Sequence, residues 1–490
     1  MNSDIRELEP KTVWNNFADL NAVPRASKKE EKVIAFMIAF GKKLGLEAFS
    51  DEVGNVIIRK PATRGMENRK GIVLQSHLDM VHQKNADTIF DFSTQGIEMY
   101  VDGDWVKAKG TTLGADNGLG VATIMAILES KTIEHPAIEA LFTIDEETGM
   151  GGAFGLKAGL LKGEILLNLD TEEDDEIDIG CAGGIDVTAV GEYEEEKVVD
   201  IDNVTTYKIN VKGLKGGHSG MDIHRGLGNA NKIINRLLFD GFENFGLRIC
   251  EVNGGGLRNA IPRESFAIVA INNVHRKVFE YEFEELVAAV KNEYKTTEPN
   301  LLISIEVVAK PEKMMNSVAQ TAIVKAIYAA HNGVYRMSAD MEDLVETSNN
   351  LARVEIKDGQ IKIGCLTRSS VESSKIDLAN ALRAVFELAG CEVEFSGSYP
   401  GWNPNVNSPI LKVLSSKYES LFGKKANVVA CHAGLECGIL GQNYPEMDMI
   451  SFGPTIKGAH SPDERVCISS VQKFWKFTLE ILKNIPQVCI

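Results

Sequence analysis

Along the first third of the chain, short and almost wholly apolar runs alternate with longer stretches whose apolar residues recur at helical spacing. Asn-Val-Ile-Ile-Arg (55–59), Gly-Ile-Val-Leu-Gln-Ser (71–76), Ile-Glu-Ala-Leu-Phe-Thr-Ile (138–144) and Glu-Ile-Leu-Leu-Asn-Leu (164–169) read as strands. Residues 30–44 read as an amphipathic helix and 119–128 as an apolar one. This alternation, continued to about residue 185, predicts an α/β fold on a doubly wound, largely parallel sheet. The pattern then changes to strand 205–211, helix 226–239, strands 246–252 and 264–272, helix 279–293 and strand 301–308. That order is β-α-β-β-α-β, a ferredoxin-like unit. A second, duplicated unit is read from helix 317–331, strands 351–356 and 360–367, helix 375–389 and strand 391–396. The expected organisation is an α/β domain in two segments, 1–185 and 401–490, with an inserted α+β domain at 186–400.

The residues that follow the apolar runs carry chemistry. His77 and Asp170 come directly after predicted strands, Glu147 closes the Asp145-Glu146-Glu147 run after another, and His460 lies in the loop after Met-Ile-Ser-Phe-Gly (449–453). Asp116, in Thr-Leu-Gly-Ala-Asp-Asn-Gly (112–118), precedes the apolar helix. Ligands of open α/β sheets gather outside the carboxyl ends of the strands, so these five can share one crevice. Imidazole with carboxylate suits zinc and, less selectively, manganese or cobalt. Five ligands are too many for one catalytic zinc and fit two divalent ions when one carboxylate is shared. The pattern predicts His77 and Asp170 on one ion, Glu147 and His460 on the other, and Asp116 between them. Two ions roughly 3.5–4 Å apart can activate a water and polarise the carbonyl it attacks, which is the chemistry of a hydrolase. Asp79, two residues after His77, can take the ring N–H that the metal does not use. Glu146, beside Glu147, can act as general base. A lone His-x-Asp pair or an acidic run is ordinarily a loop or a solvated surface; the conjunction at several strand ends points to metal.

Six segments carry a resemblance: Ser-His-Leu-Asp-Met-Val (76–81), Gly-Ala-Asp-Asn-Gly (114–118), Asp-Glu-Glu-Thr-Gly (145–149), Asn-Leu-Asp (168–170), Gly-Gly-His-Ser-Gly (216–220) and Gly-Ala-His-Ser-Pro-Asp-Glu (458–464). Together they resemble the co-catalytic zinc aminopeptidase, dipeptidase and deacylase family, most closely its aminoacyl-histidine, or cytosol non-specific, dipeptidase branch. The resemblance implies a metallodipeptidase acting on small peptides, including Xaa-His dipeptides such as carnosine, with the inserted domain as a lid. It implies that His218 donates to the oxyanion, across a domain or subunit boundary, and that Asn259, Arg368 and the Gly434 backbone bind substrate. A homodimer is one implied assembly; a duplicated lid replacing the partner's contribution is the other. Arginine suits a free C-terminal carboxylate because its planar fork can bind both oxygens. In Cys-His-Ala-Gly-Leu-Glu (431–436), expected in the catalytic domain, His432 and Glu436 stand open between catalysis and holding the loop. Alternatives are an N-acyl amino acid deacylase, since the metals act alike on any amide, and a non-catalytic binding protein on the same fold.

Size and charge narrow the reading. At 490 residues the chain exceeds what one core usually serves. A net charge of −17 opposes binding to nucleic acid or to an anionic membrane. The N-terminus lacks the basic start and apolar core of a signal peptide, and no run of about 18 apolar residues offers a membrane helix. Eight cysteines, at 181, 250, 365, 391, 431, 437, 467 and 489, form no Cys-x-x-Cys pair and read as reduced thiols of a cytosolic protein. The acidic stretches 172–178 and 192–196 read as solvated loops and edges.

Overall fold

The computed structural model describes residues 4–198 and 201–488; Cys489 lies outside them. The chain forms two compact units. The first takes the chain up to Gly180, Trp402–Ala430 and the stretch from Leu435 onward; the second takes Cys181–Gly401 and Cys431–Gly434.

The first unit is built on an eight-stranded sheet. Its order is Glu47–Ser50, Val56–Lys60, Ile138–Thr143, Ile72–His77, Ile165–Asn168, Asp448–Ser451, Glu176–Cys181 and Asn427–Cys431. The four strands from Ile138–Thr143 to Asp448–Ser451 run parallel. Antiparallel pairs flank them, so the sheet is mixed. Ile138–Thr143, Ile72–His77 and Ile165–Asn168 are buried at every position, which is why they read as continuous apolar runs rather than as alternations. Their register aligns the strand ends. His77 lies opposite Thr143, and Gln75 opposite Asn168, so the residues just past these strands emerge along one edge. A small four-stranded sheet, Ile456–Lys457, Arg465–Cys467, Trp105–Ala108 and Met99–Asp102, anchors both sides of the loop containing His460.

The second unit is built on a nine-stranded antiparallel sheet with helices packed on it, beside a separate pair of short strands, Glu195–Lys197 and Lys313–Met315. Leu302–Val307, Val204–Lys212, Ser265–Asn272 and Arg248–Gly255, with helices Ala230–Phe245 and Arg276–Glu293, make one β-α-β-β-α-β arrangement. Val345–Lys357, Gln360–Ser369, Gly183–Glu192 and Glu392–Tyr399, with helices Ser317–Ala329 and Glu372–Leu388, make another. They join edge to edge where Val252 faces Ile356 and Gly255 faces Arg353. A single core, including Ile209, Leu237, Phe279, Leu351, Ile363 and Phe386, runs under both. The second arrangement takes its first strand, Gly183–Glu192, from before the first, so one is nested inside the other. A boundary at 185/186 therefore falls inside a strand.

Other expectations shift for identifiable reasons. Helix 226–239 is displaced to Ala230–Phe245, because Gly226 has φ 66° and the Asn229 side chain caps the helix by accepting from Asn231 and Lys232 N–H at 3.0 and 3.2 Å. The stretch 172–178 is not wholly solvated: Asp178 is buried in strand Glu176–Cys181 and accepts from Thr171 Oγ1 at 2.7 Å. Residues 431–434 leave the first unit, where 431–436 was expected, for the second. Cys431 O accepts from Ala182 N–H at 3.0 Å, and His432 Nε2 lies 2.8 Å from Ser348 Oγ. The seven described cysteines are in no disulfide, and no described helix is long and apolar enough to cross a membrane.

Candidate metal centre

The edge formed by the parallel strands of the first unit brings all five predicted ligands together. His77, the last residue of its strand, is 1% exposed. Its Nε2 lies 3.2 Å from Asp116 Oδ1 and 3.6 Å from Asp170 Oδ1. Asp116 turns its other oxygen to His460, with Oδ2 3.2 Å from Nε2, and the same Nε2 lies 3.0 Å from Glu147 Oε2. Two groups result, His77 with Asp116 and Asp170, and Asp116 with Glu147 and His460; within each, the donor atoms lie within 4.8 Å of one another. Asp116 belongs to both.

Local backbone explains the aim of these side chains. Asp116 (φ −79°, ψ 112°) and Asn117 (φ −103°, ψ 31°) depart from helical geometry at the start of Ala115–Glu129, which turns Asp116 away from the helix face. Asp145 takes φ 54° and starts the short helix Glu146–Gly149 abruptly after its strand; His460 takes φ 64° in its loop. Asp79 is fully buried and holds two parts of the site. Its Oδ1 lies 3.4 Å from His77 Nδ1 and accepts from Glu146 N–H at 3.1 Å, while Oδ2 accepts from Glu147 N–H at 3.3 Å. His77 thus keeps Nε2 for the crevice. Glu146 Oε2 stands 4.0 Å from that nitrogen.

Electrostatics favour divalent cations here. Burial, then the charges of Asp170, Glu436 and Glu147, push the Glu146 carboxyl well above the usual range despite His77. Burial and the neighbouring carboxylates do the same to Asp170. Hydrogen bonds to Asp116 and Glu147 push His460 up to about 11, a protonated imidazole standing between carboxylates. Asp170 Oδ1 is buried without a hydrogen-bond partner. Such an acidic, desolvated set fits metal, and a bound cation inverts these shifts by replacing the imidazole protons as the positive charge.

Several residues of this site escape a sequence pattern. Glu464 accepts four backbone N–H groups from 113–116, and Arg25, 1% exposed, donates to Leu78 O and Asp79 O at 3.1 Å each and to Gly114 O at 2.5 Å. Glu436, buried, accepts from Gln75 Nε2 and Thr143 Oγ1 at 2.6 Å each, while its Oε1 has no partner. Glu464 and Glu436 both sit within segments the sequence singles out, but the partners of Glu464 are backbone and those of Glu436 are side chains remote in sequence.

The second unit gathers a different set. His218 Nδ1 accepts the Gly220 and Met221 N–H groups at 3.2 and 3.1 Å, leaving its proton on Nε2. Burial, then the charge of Arg368, lower its pKa to about 4, so the ring is a neutral donor near pH 7. Arg368 is 4% exposed; its Nε reaches Ser219 Oγ at 3.4 Å and its Nη1 donates to Tyr399 OH at 2.7 Å. Among the described residues it makes no ion pair. That differs from an ordinary surface arginine. Asn259 is exposed, and its carbonyl accepts from Ser219 N–H at 2.8 Å. Gly434 is half-buried in the 431–434 segment.

Residues 73–484 match the family model described as Peptidase family M20/M25/M40. The chain belongs to this family. Among its M20 relatives, the cytosol non-specific dipeptidase of Escherichia coli K12 is 45% identical over 484 residues, 99% of either chain. The crystal structure of an aminoacylhistidine dipeptidase from Vibrio alginolyticus superposes with a TM-score of 0.94 at 45% identity, covering 99% of both chains. An aminopeptidase, PepT, from Bacillus cereus shares the fold alone, with a TM-score of 0.58 at 16% identity over 98% of this chain and 99% of its own.

Proposed function

We propose that this M20 chain is a dipeptidase that uses two divalent ions, zinc in the first place with manganese or cobalt as substitutes, to hydrolyse dipeptides including Xaa-His. The observation that carries the reading is the division of the Asp116 carboxylate, one oxygen 3.2 Å from His77 and the other 3.2 Å from His460. His77, Asp116 and Asp170 hold one ion, and Asp116, Glu147 and His460 the other. When bound, such a pair lowers the pKa of a water and polarises the scissile carbonyl. Glu146 takes the water's proton on its carboxylate and returns it to the leaving amine. Asp79 keeps the His77 ring oriented. His218 Nε2–H donates to the developing oxyanion, as a preorganised neutral donor should.

In the same reading Arg368 recognises the free C-terminal carboxylate. A buried guanidinium held by Ser219 and Tyr399, without a carboxylate of its own, has donors to spare. Gly434 N–H and Asn259 complete that end of the substrate. The cytosol and a homodimer belong to the proposal as its expected setting and one expected assembly.

Elemental analysis of the active protein should find two ions per chain, and Asp116→Ala should weaken both sites; one ion per active chain would remove the shared-ligand reading. Dipeptides should turn over much faster than tripeptides, because one added residue moves the carboxylate by roughly 3.3–3.6 Å. Amidating a dipeptide should cost about as much as Arg368→Ala and little more in that variant. Equal turnover of dipeptides and their amides, or preference for N-acetyl amino acids, would point to an aminopeptidase or deacylase instead.

A further inference from the structure

The loop that carries His460 also carries a carboxylate that the proposed reaction leaves unused. Glu464 is 2% exposed, and its oxygens accept four consecutive backbone N–H groups. Oε2 takes Leu113 and Gly114 at 2.7 and 2.9 Å, and Oε1 takes Ala115 and Asp116 at 2.7 and 3.2 Å. Asp116 is the last of the four, so the peptide from which its side chain springs is itself tied down. The opposite side of the segment is closed as well. Arg25 Nη2 donates to Gly114 O at 2.5 Å. Gly114 has φ +69°, and a Cβ there would come 2.5 Å from that same nitrogen. The segment is clasped between a buried carboxylate and a buried guanidinium.

The donor pattern selects the residue type. Four N–H groups converge on two oxygens, which an ionised carboxylate satisfies and an amide cannot, because its NH2 would face two other donors. Charge-assisted bonds of this kind are the stronger and more directional ones. Glu464 lies four residues beyond His460 on one loop, so the tie joins the element bearing one histidine to the element bearing the shared aspartate.

We propose that Glu464 is a positioning residue of the two-ion centre: by fixing the 113–116 backbone against the His460 loop, it sets where Asp116 Oδ1 and Oδ2 stand and thereby governs the affinity for both ions. This rests on the reading of Asp116 as the shared ligand. Groups that orient a ligand typically cost about 10–100-fold in metal affinity when altered.

The test is a zinc titration of metal-free, full-length protein by calorimetry, with the unfolding temperature of the same metal-free samples as control. In Glu464→Gln both zinc steps should weaken, by about 10–100-fold in affinity, and kcat should fall with KM for a dipeptide unchanged. Glu464→Asp, which keeps the charge but withdraws it by one methylene, should lie between Gln and the parent. It also serves if the Gln variant does not fold. A folded variant whose zinc titration superimposes on the parent's would overturn the proposal. The parent protein and Asp116→Ala separate the two readings. If the parent holds one ion, the shared-ligand reading fails and takes this one with it. If the parent holds two, Asp116→Ala loses both and the Glu464 variants bind as the parent does, only the positioning role fails.

Discussion

Adjacent carboxylates can divide labour only if the backbone aims them differently, and Glu146 and Glu147 open a helix turn in which they do. Glu147 reaches His460 at 3.0 Å, while Glu146 Oε2 approaches His77 Nε2 at 4.0 Å. Glu146→Gln should therefore retain the ions and lose on the order of 10²–10⁴ in turnover, as for a missing general base. Glu147→Gln should lose metal directly. Equal metal contents in the two variants would contradict the division. His432 supports a second prediction, on pH. Burial, then Arg368, lowers its pKa from 6.5 to about 3, so between those values the unfolded chain binds a proton that the folded one does not. By linkage, its contribution is whole above pH 6.5 and is lost as pH falls towards 3, at up to about 1.4 kcal/mol per unit. Replacing His432 with Asn should flatten the acid side of the unfolding-temperature profile; an unchanged slope would place that proton elsewhere. At this scale the grouping of the five candidate ligands was legible, since metal chemistry demands histidine and carboxylate and strand ends put them in reach. Glu464 and Arg25 were not, because their partners are N–H and C=O groups that every residue supplies.

Loops and strands behave differently from single residues. The Gly-Gly-His-Ser-Gly segment is glycine-rich for a spatial reason at Gly220: a Cβ there would run into the His432 carbonyl oxygen. Gly220→Ala should push the His218 loop away from 431–434 and lower kcat/KM at least 10-fold, the scale on which a misplaced catalytic group costs rate, with metal content unchanged. Parent-like kinetics would show that this packing is slack. Strands buried on both sides announced themselves as apolar runs, and helices by their spacing. What stayed hidden was pairing. Gly183–Glu192 alternates Ile185, Val187 and Ala189 inward, yet its partners are Gln360–Ser369 and Glu392–Tyr399, and no local pattern reports neighbours so remote in sequence. The helix starts at Ala230 rather than 226 for a nearer reason, since Gly226 at φ 66° and the Asn229 cap set its first turn.

At the level of the whole molecule, ions held by the five candidate ligands would bind the folded chain and not the unfolded one, and so would stabilise it by mass action. Each site held at a free ion concentration 100 times its dissociation constant should add about 2.7 kcal/mol. Stripping the protein with a chelator should lower its unfolding temperature and readdition of zinc should restore it; identical melting with and without chelator would argue against ions at this centre. Strand Asp448–Ser451 has a bearing on the life of the protein before it is complete. It fills the place between Ile165–Asn168 and Glu176–Cys181, which are successive in sequence but apart in the sheet. A ribosome adding roughly 5–20 residues per second leaves that slot vacant for many seconds after its walls emerge. His460 emerges later still. A half-made chain therefore carries exposed strand edges for chaperones to guard, and under the proposed two-ion reading its hydrolytic centre is finished only when synthesis has passed residue 460.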